Sequence, residues 1–219
     1  MTAVMKIDFV SDIACPWCAV GLGALEKALE ELQGEVEAHI HFQPFELNPQ
    51  MPPGGEDLVE HLGKKYGSSA DQQAQMYQTI KARGTEVGFA FHPTGRGRIF
   101  NTFDAHRLLH WAEHEGGAGD QHTLKKAFLE AYQGRGEVIE SHEVLLGIVK
   151  AQGMNTVAAK AVLESDTYAQ AVREKENFYT SAGIHSVPAV IINDKHLISG
   201  GQPAEVFVNA LRQIAAAQV

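Results

Sequence analysis

Ser11-Asp12-Ile13-Ala14-Cys15-Pro16-Trp17-Cys18 holds the only two cysteines of a 219-residue chain. Upstream lies a short β-rich run with Ile7, Phe9 and Val10; downstream, Leu22, Leu25, Leu29 and Leu32 recur at helical spacing. The pair therefore stands where a strand passes into a helix. Two thiols at this spacing and junction read as a dithiol that cycles to a disulfide. Disulfides are attacked by thiolates, not thiols. Cys15 falls where the helix begins, and there unpaired backbone N–H groups and the positive end of the helix dipole favour its anion. Pro16 follows at an early helical position, where a missing N–H costs nothing. Cys18 is one turn further in and more shielded. Cys15 is thus assigned as the attacking nucleophile and Cys18 as the resolving thiol.

Working outward, residues 6–10 suit a strand, 19–32 a helix stopped by Gly34, and 36–45 a second strand of period two. Together they form a βαβ unit. Asn48-Pro49-Gln50-Met51-Pro52-Pro53-Gly54-Gly55 then breaks regular structure and marks a boundary. From residue 51 to 182 the periodicity is helical only, over Thr102–His114, Thr123–Tyr132, Val144–Gln152 and Val157–Leu163. A last long helix is expected from an Asp166 cap to Gly183, with Tyr168, Ala171, Val172, Phe178 and Tyr179 on one face. Strand signals return at Val187–Ile192; Asn193-Asp194-Lys195 makes a turn, and His196–Ser199 a short strand. Pro203–Ala216 closes the chain as a helix. The order is βαβ, a helical block, then ββα. It predicts an α/β fold in which residues 1–50 and 183–219 form one domain and 51–182 are inserted.

Eighteen Lys and Arg against 27 Asp and Glu give a net charge of −9, the wrong sign for a nucleic-acid partner. No apolar run reaches membrane-spanning length, so no membrane partner is expected. The N-terminus has no basic start followed by an apolar segment and a small-residue cleavage site. The expectation is a cytoplasmic protein, in which the two thiols rest reduced and any disulfide between them is transient. Oligomeric state is not legible.

The bland readings compete at each position. Cys-x-x-Cys is also half a zinc site, and His106, His110 and His114 follow one another at i, i+4 and i+8 on one predicted helix. About 90 residues separate the two sets, unlike a zinc finger, so no metal is expected; the histidine row reads as an exposed face with Leu108, Leu109 and Trp111 inward. Trp17 either shapes the substrate surface beside Cys15 or simply packs at a helix start. Asp12 either relays the proton of Cys18 or makes a local turn bond. Val187-Pro188 is either a strand-start proline in trans or a cis proline beside the dithiol, leaving the Val187 backbone free to pair with substrate. Arg96 and Arg98 either hold a carboxylate such as that of glutathione or are solvated loop residues.

The whole order, with Cys15-Pro16-Trp17-Cys18 at a helix start and Val187-Pro188 opening a hairpin, resembles the DsbA family of thioredoxin-fold proteins, and within it the FrnE-like branch. Pro44-Phe45-Glu46-Leu47-Asn48-Pro49, Asn101-Thr102 with Ala105-His106-Arg107-Leu108, and Gly183-Ile184-His185-Ser186-Val187-Pro188 carry the likeness further. The resemblance implies a thioredoxin-like fold with a large all-helical insertion over the active site. It implies that Pro188 is cis and packs on the dithiol, and that Asn101 and His106 line the cleft. It also implies a protein disulfide oxidoreductase or isomerase acting on disulfide-containing proteins or small-molecule thiols. No tightly bound cofactor is expected, with glutathione as redox partner or co-substrate. The alternative is a glutathione-dependent isomerase or transferase, because 2-hydroxychromene-2-carboxylate isomerases and kappa-class glutathione transferases share the architecture. Those relatives usually carry serine at the position of Cys15, which favours disulfide exchange here. A metal-binding or chaperone-like module is the non-enzyme reading. The likeness departs at Trp17, where DsbA has a histidine that stabilises the thiolate; Trp17 offers no charge or acceptor, so a less oxidising couple is expected.

Overall fold

β1 (Ala3–Ser11) is an inner strand of the main sheet in the computed structural model, which describes residues 2–217. It pairs in parallel with β2 (Val36–Pro44), from Ala3↔Val36 to Ser11↔Pro44. On its other side it runs antiparallel to the β5 strand (Ala189–Ile192), which pairs antiparallel with β6 (His196–Ser199). The strand order is β2-β1-β5-β6. Ile7 through Ser11 are all buried, as expected of a strand covered on both faces, which is why their alternation is weak in the sequence. Helix α1 (Pro16–Glu31) makes the crossover from β1 to β2 and packs against α9 (Ala204–Ala216). Asn193 and Asp194 turn the β5–β6 hairpin with φ of 53° and 57°, the paired positive φ of a tight I′-type turn. Among the described residues no helix is long and apolar enough to cross a membrane.

Between β2 and β5 the chain forms α2 (Leu58–Tyr66), α3 (Ala70–Glu86), α4 (Phe103–Glu115) and α5 (Asp120–Leu129). A π-helical turn (Glu130–Gly134), α6 (His142–Ala151), α7 (Thr156–Leu163) and α8 (Ala169–Ser181) follow. The insertion is not all-helical, contrary to expectation. A short antiparallel ladder joins β3 (Glu56–Asp57) to β4 (Arg98–Ile99). Its cause lies in the glycines: Gly54 and Gly55 take positive φ and turn their carbonyls to the Arg98 guanidinium, at 2.8 to 3.1 Å. Helices α2 and α3 carry no apolar periodicity because α2 buries no residue and α3 only Ile80 and Gly84. Their starts are set by polar caps instead, Asp57 accepting from the Glu60 N–H and a Ser69–Gln72 capping box.

Two expectations for α8 also fail. The helix starts at Ala169 after Tyr168 at φ 64°, so Asp166 and Tyr168 precede it. Val172 and Tyr179 face inward, but Phe178 is exposed.

Two apolar cores interlock. One joins Ile7, Phe9, Leu25 and Phe207 of the sheet body with Ile80, Phe91, Leu129 and Tyr179 of the insertion. The other gathers Leu108, Trp111, Phe128, Tyr132 and Leu145, and takes in Ile13 and Ala14. The loop leading to Cys15 is thus packed into the core of the insertion.

Candidate active site

β1 ends at Ser11 and the next four residues turn the chain into α1. Asp12 organises that turn. Its Oδ1 accepts from the Ala14 N–H at 2.9 Å and from the Thr102 hydroxyl at 2.8 Å; its Oδ2 accepts from the Leu47 N–H at 2.7 Å. The local turn bond is therefore present, joined by contacts to Thr102 and Leu47. From the π-helical turn, Gln133 donates to the Ile13 carbonyl at 2.7 Å. Two side chains of the insertion, Thr102 and Gln133, thus hold the loop that presents Cys15.

Cys15 is the N-cap of α1, with extended backbone (φ −92°, ψ 114°) and Pro16 behind it. Only 6% of it is exposed, and Cys18 is wholly buried. Both are free thiols. As a thiol, Cys15 donates to the Val187 carbonyl at 3.4 Å. As an anion it accepts from the Cys18 thiol, the largest influence on it, and from the backbone N–H groups of Cys18 and Trp17. These outweigh burial and the Asp12 charge, and the Cys15 thiol titrates below its ordinary range. Cys18 moves the other way: burial first, then its bond to Cys15 and the Cys15 charge, push it well above the ordinary thiol range. The environments separate the two thiols into nucleophile and reserve.

The Val187–Pro188 peptide bond is cis. Pro188 lies directly against α1, at Gly21: a Cβ there would stand 2.9 Å from Pro188 Cγ. Trp17, partly exposed, covers Gly201 so closely that a Cβ on that glycine would sit 3.1 Å from the indole. Two glycines therefore let α1 and the hairpin close around the dithiol.

His106 corrects the exposed-face expectation. It is 2% exposed, and its Nε2 lies 3.6 Å from Asp12 Oδ1, an electrostatic approach too long for a hydrogen bond. Burial pushes the Asp12 carboxyl up, but His106 and the N–H groups of Leu47 and Ala14 more than offset it, and Asp12 titrates below its ordinary range. Asn101 donates to Glu46 Oε1 at 3.3 Å. Arg173 pairs with Glu46 and with Glu176 and stacks 3.8 Å over the Phe103 ring. Burial and the neighbouring Glu176 charge push the Glu46 carboxyl up to about 7.

The arginines of the glycine-rich loop are occupied: Arg98 on the Gly54 and Gly55 carbonyls, Arg96 over the Tyr132 ring at 4.6 Å. The cysteines and histidines do not assemble a metal set. Among the described residues, the grouping with metal-ligand proximity is His110, Glu113 and His114, which includes neither thiol.

Three residues near the dithiol lay outside the sequence reading. Tyr66, at the end of α2 and 62% exposed, feels the charge of Cys15. Gly21 seats Pro188. Lys125 on α5 is wholly buried; its ammonium has no hydrogen-bond partner, and the ionisable groups whose fields reach it are Cys18, Asp12 and Cys15. A signal for it existed: Lys125 stands three residues before Phe128 and seven before Tyr132, in the row that faces inward.

A family model described as a DSBA-like thioredoxin domain matches residues 6–212. An uncharacterized Bacillus subtilis protein, YwbO, is 29% identical over 217 residues, covering 96% of each chain. A crystal structure of a probable DsbA oxidoreductase from Streptomyces coelicolor superposes with a TM-score of 0.85 at 31% identity, over 98% of this chain and 91% of that one. Two more distant structures share the fold. A 2-hydroxychromene-2-carboxylate isomerase gives 0.72 at 13% identity, over 97% of both chains. A cytosolic disulfide reductase from Pseudomonas aeruginosa, solved with glutathione, gives 0.62 at 15% identity, over 95% of this chain and 98% of that one.

Proposed function

Because the chain belongs to the DSBA-like thioredoxin domain family, we propose that it is a thiol–disulfide oxidoreductase cycling Cys15 and Cys18 between dithiol and disulfide. The observation that carries this reading is the opposite displacement of the two thiols. Cys15 caps α1 with its anion favoured; Cys18 waits buried one turn below with its thiol favoured. The Cys15 thiolate attacks a substrate disulfide, forming one S–S bond and expelling a substrate thiolate. Cys18 then loses its proton and attacks Cys15 Sγ. The Cys15–Cys18 disulfide forms, and the second substrate sulfur leaves with the electron pair and is protonated. The substrate disulfide is reduced and the protein oxidised; the reverse sequence oxidises a substrate dithiol.

Substrate approaches Cys15 beside Trp17 and the Val187 backbone. This rim suits a disulfide on a protein segment or on a small thiol such as glutathione, the expected redox partner. Retention of both thiols supports exchange over a glutathione-dependent isomerisation, which needs no resolving thiol. We further propose the cytosol as the working compartment, because cysteine occurs nowhere outside the dithiol and no structural disulfide exists to need an oxidising one.

Cys15→Ser is expected to abolish reduction of insulin disulfides. Cys18→Ala is expected to retain the first attack and accumulate a mixed disulfide on Cys15, visible by mass spectrometry. Undiminished turnover by Cys15→Ser would sink the proposal. Equilibration with glutathione buffers sets the direction of electron flow. Because Trp17 supplies no charge or acceptor, the couple is expected below about −120 mV, the value of DsbA.

A further inference from the structure

The three histidines of α4 do not share one environment. His106 is buried toward Asp12, whereas His110 is half-buried and His114, one turn on, is exposed. The rings of His110 and His114 stack with their centroids 4.1 Å apart. Glu113 lies beside them. One nitrogen or oxygen from each of His110, Glu113 and His114 lies within 4.8 Å of the other two. The proposed disulfide chemistry uses none of these three residues.

We propose that His110, Glu113 and His114 form a binding site for a borderline divalent transition-metal ion such as zinc. Two imidazoles and one carboxylate suit zinc, copper(II) or nickel(II); magnesium and calcium take oxygen ligands instead. Residues four apart lie one above the other on a helix, so this imidazole pair can chelate one ion without rearranging the fold. Two nitrogens bound to one tetrahedral zinc at about 2.0–2.1 Å stand about 3.4 Å apart. Closing on the ion therefore takes at most about 1.5 Å of side-chain movement, which the exposed His114 ring can supply. Three protein ligands leave a fourth position for water.

The surroundings orient the ligands, as outer partners of a metal site do. Glu113 is held from two sides: its Oε1 accepts from His41 Nδ1 of β2 at 2.8 Å, and its Oε2 from Gln121 Nε2 at 3.3 Å. Gln121 is itself buried and anchored on the Phe42 backbone, accepting from the N–H at 2.9 Å and donating to the carbonyl at 3.0 Å. The carboxylate is thus fixed in place and keeps lone pairs to spare. His114 Nδ1 lies 2.8 Å from the His110 carbonyl. A carbonyl only accepts, so Nδ1 carries the hydrogen and the neutral ring keeps its lone pair on Nε2. Tyr168 sets its ring 4.9 Å from His110 and 6.3 Å from His114. It does so at φ 64°, a conformation that is uncommon for a bulky residue and that gathers at functional sites.

The test is a calorimetric titration of zinc chloride into the untagged full chain near neutral pH. The chain carries Cys15→Ser and Cys18→Ala, so that thiolates cannot compete for the metal. One equivalent is expected to bind with a Kd below about 100 μM. Adding His114→Ala or Glu113→Gln is expected to weaken binding by about tenfold or more. His39→Ala, at an exposed histidine of β2 outside the group, should leave it within about twofold. Saturating zinc should also raise the unfolding midpoint of the parent chain and not that of His114→Ala, because an ion that binds only the folded state stabilises it. Binding weaker than about 100 μM in the parent, or binding that His114→Ala leaves unchanged, would overturn the site.

Discussion

Lys125→Met gives the sharpest thermodynamic test of the site. The lysine is fully buried, and burial lowers its amine from 10.5 to about 8. A lowered amine means that the unfolded chain binds more protons than the folded one between those two values, so wild-type stability rises as pH climbs from about 8 to 10.5. At neutral pH both states are protonated, and the folded state bears the full cost of the buried ammonium. The difference of about 2.5 units corresponds to about 3 kcal/mol at 1.36 kcal/mol per unit. Methionine has nearly the same length, no charge, and flexibility enough to fill the same space. The variant is therefore expected to be more stable than wild type by about 3 kcal/mol at pH 7, and by less than about 1 kcal/mol at pH 10. Guanidinium unfolding followed by tryptophan fluorescence, with the thiols kept reduced, measures both numbers. A variant less stable than wild type at pH 7, or a difference that does not shrink on going to pH 10, would refute the claim that the amine is buried without compensation.

Three further outcomes follow from the same geometry. Thiolate absorbance at 240 nm should show Cys15 ionising below the ordinary thiol range and Cys18 above it; two thiols titrating together in that range would contradict the assigned roles. Asp12→Ala removes the acceptor for Ala14, Thr102 and Leu47 and should lower stability by about 3 kcal/mol or more near pH 7. Because the folded Asp12 carboxyl is depressed, that stability is present above the unfolded value near about 3.9 and is lost as pH falls through the folded one, so the gap between Asp12→Ala and wild type should narrow in acid. Gly21→Ala puts a methyl 2.9 Å from Pro188 Cγ and should cost about 1–3 kcal/mol in urea unfolding, together with slower insulin reduction; unchanged values would show that α1 and the hairpin have room to spare.

Legibility in the sequence followed local physics. The α1 N-terminus, the parallel β1–β2 pair and the closing hairpin are each written in adjacent residues: a helix-start proline, a β-rich β1 followed by a period-two β2, a turn of Asn193 and Asp194. Helices α2 and α3 were hidden because they bury almost nothing, so apolar spacing could not mark them. The β3–β4 ladder was hidden because two residues per strand carry no periodicity; what makes it is a contact between Arg98 and carbonyls more than 40 residues earlier. His106 misled for a related reason. Its i+4 and i+8 companions, His110 and His114, do lie toward the surface, but the helix row also meets Asp12, and which end of the row is buried depends on where the loop after β1 falls. Lys125 could have been noticed as a charge in an apolar row. That it is wholly buried without a hydrogen-bond partner could not.

These distant contacts share a direction. Thr102 from the start of α4 and Gln133 from the π-helical turn reach from the insertion to the loop that leads to the cysteines, and Ile13 and Ala14 pack into the insertion's own core. The sheet body supplies the helix N-terminus and the Val187 carbonyl, which act on Cys15. The insertion supplies the buried charge acting on Cys18 and the clamp on the loop between them. The nucleophile is thus tuned by one part of the fold and the resolving thiol by the other. That division of labour requires the two cores to move as one, and the sharing of Leu129 and Tyr179 with the sheet body provides the coupling.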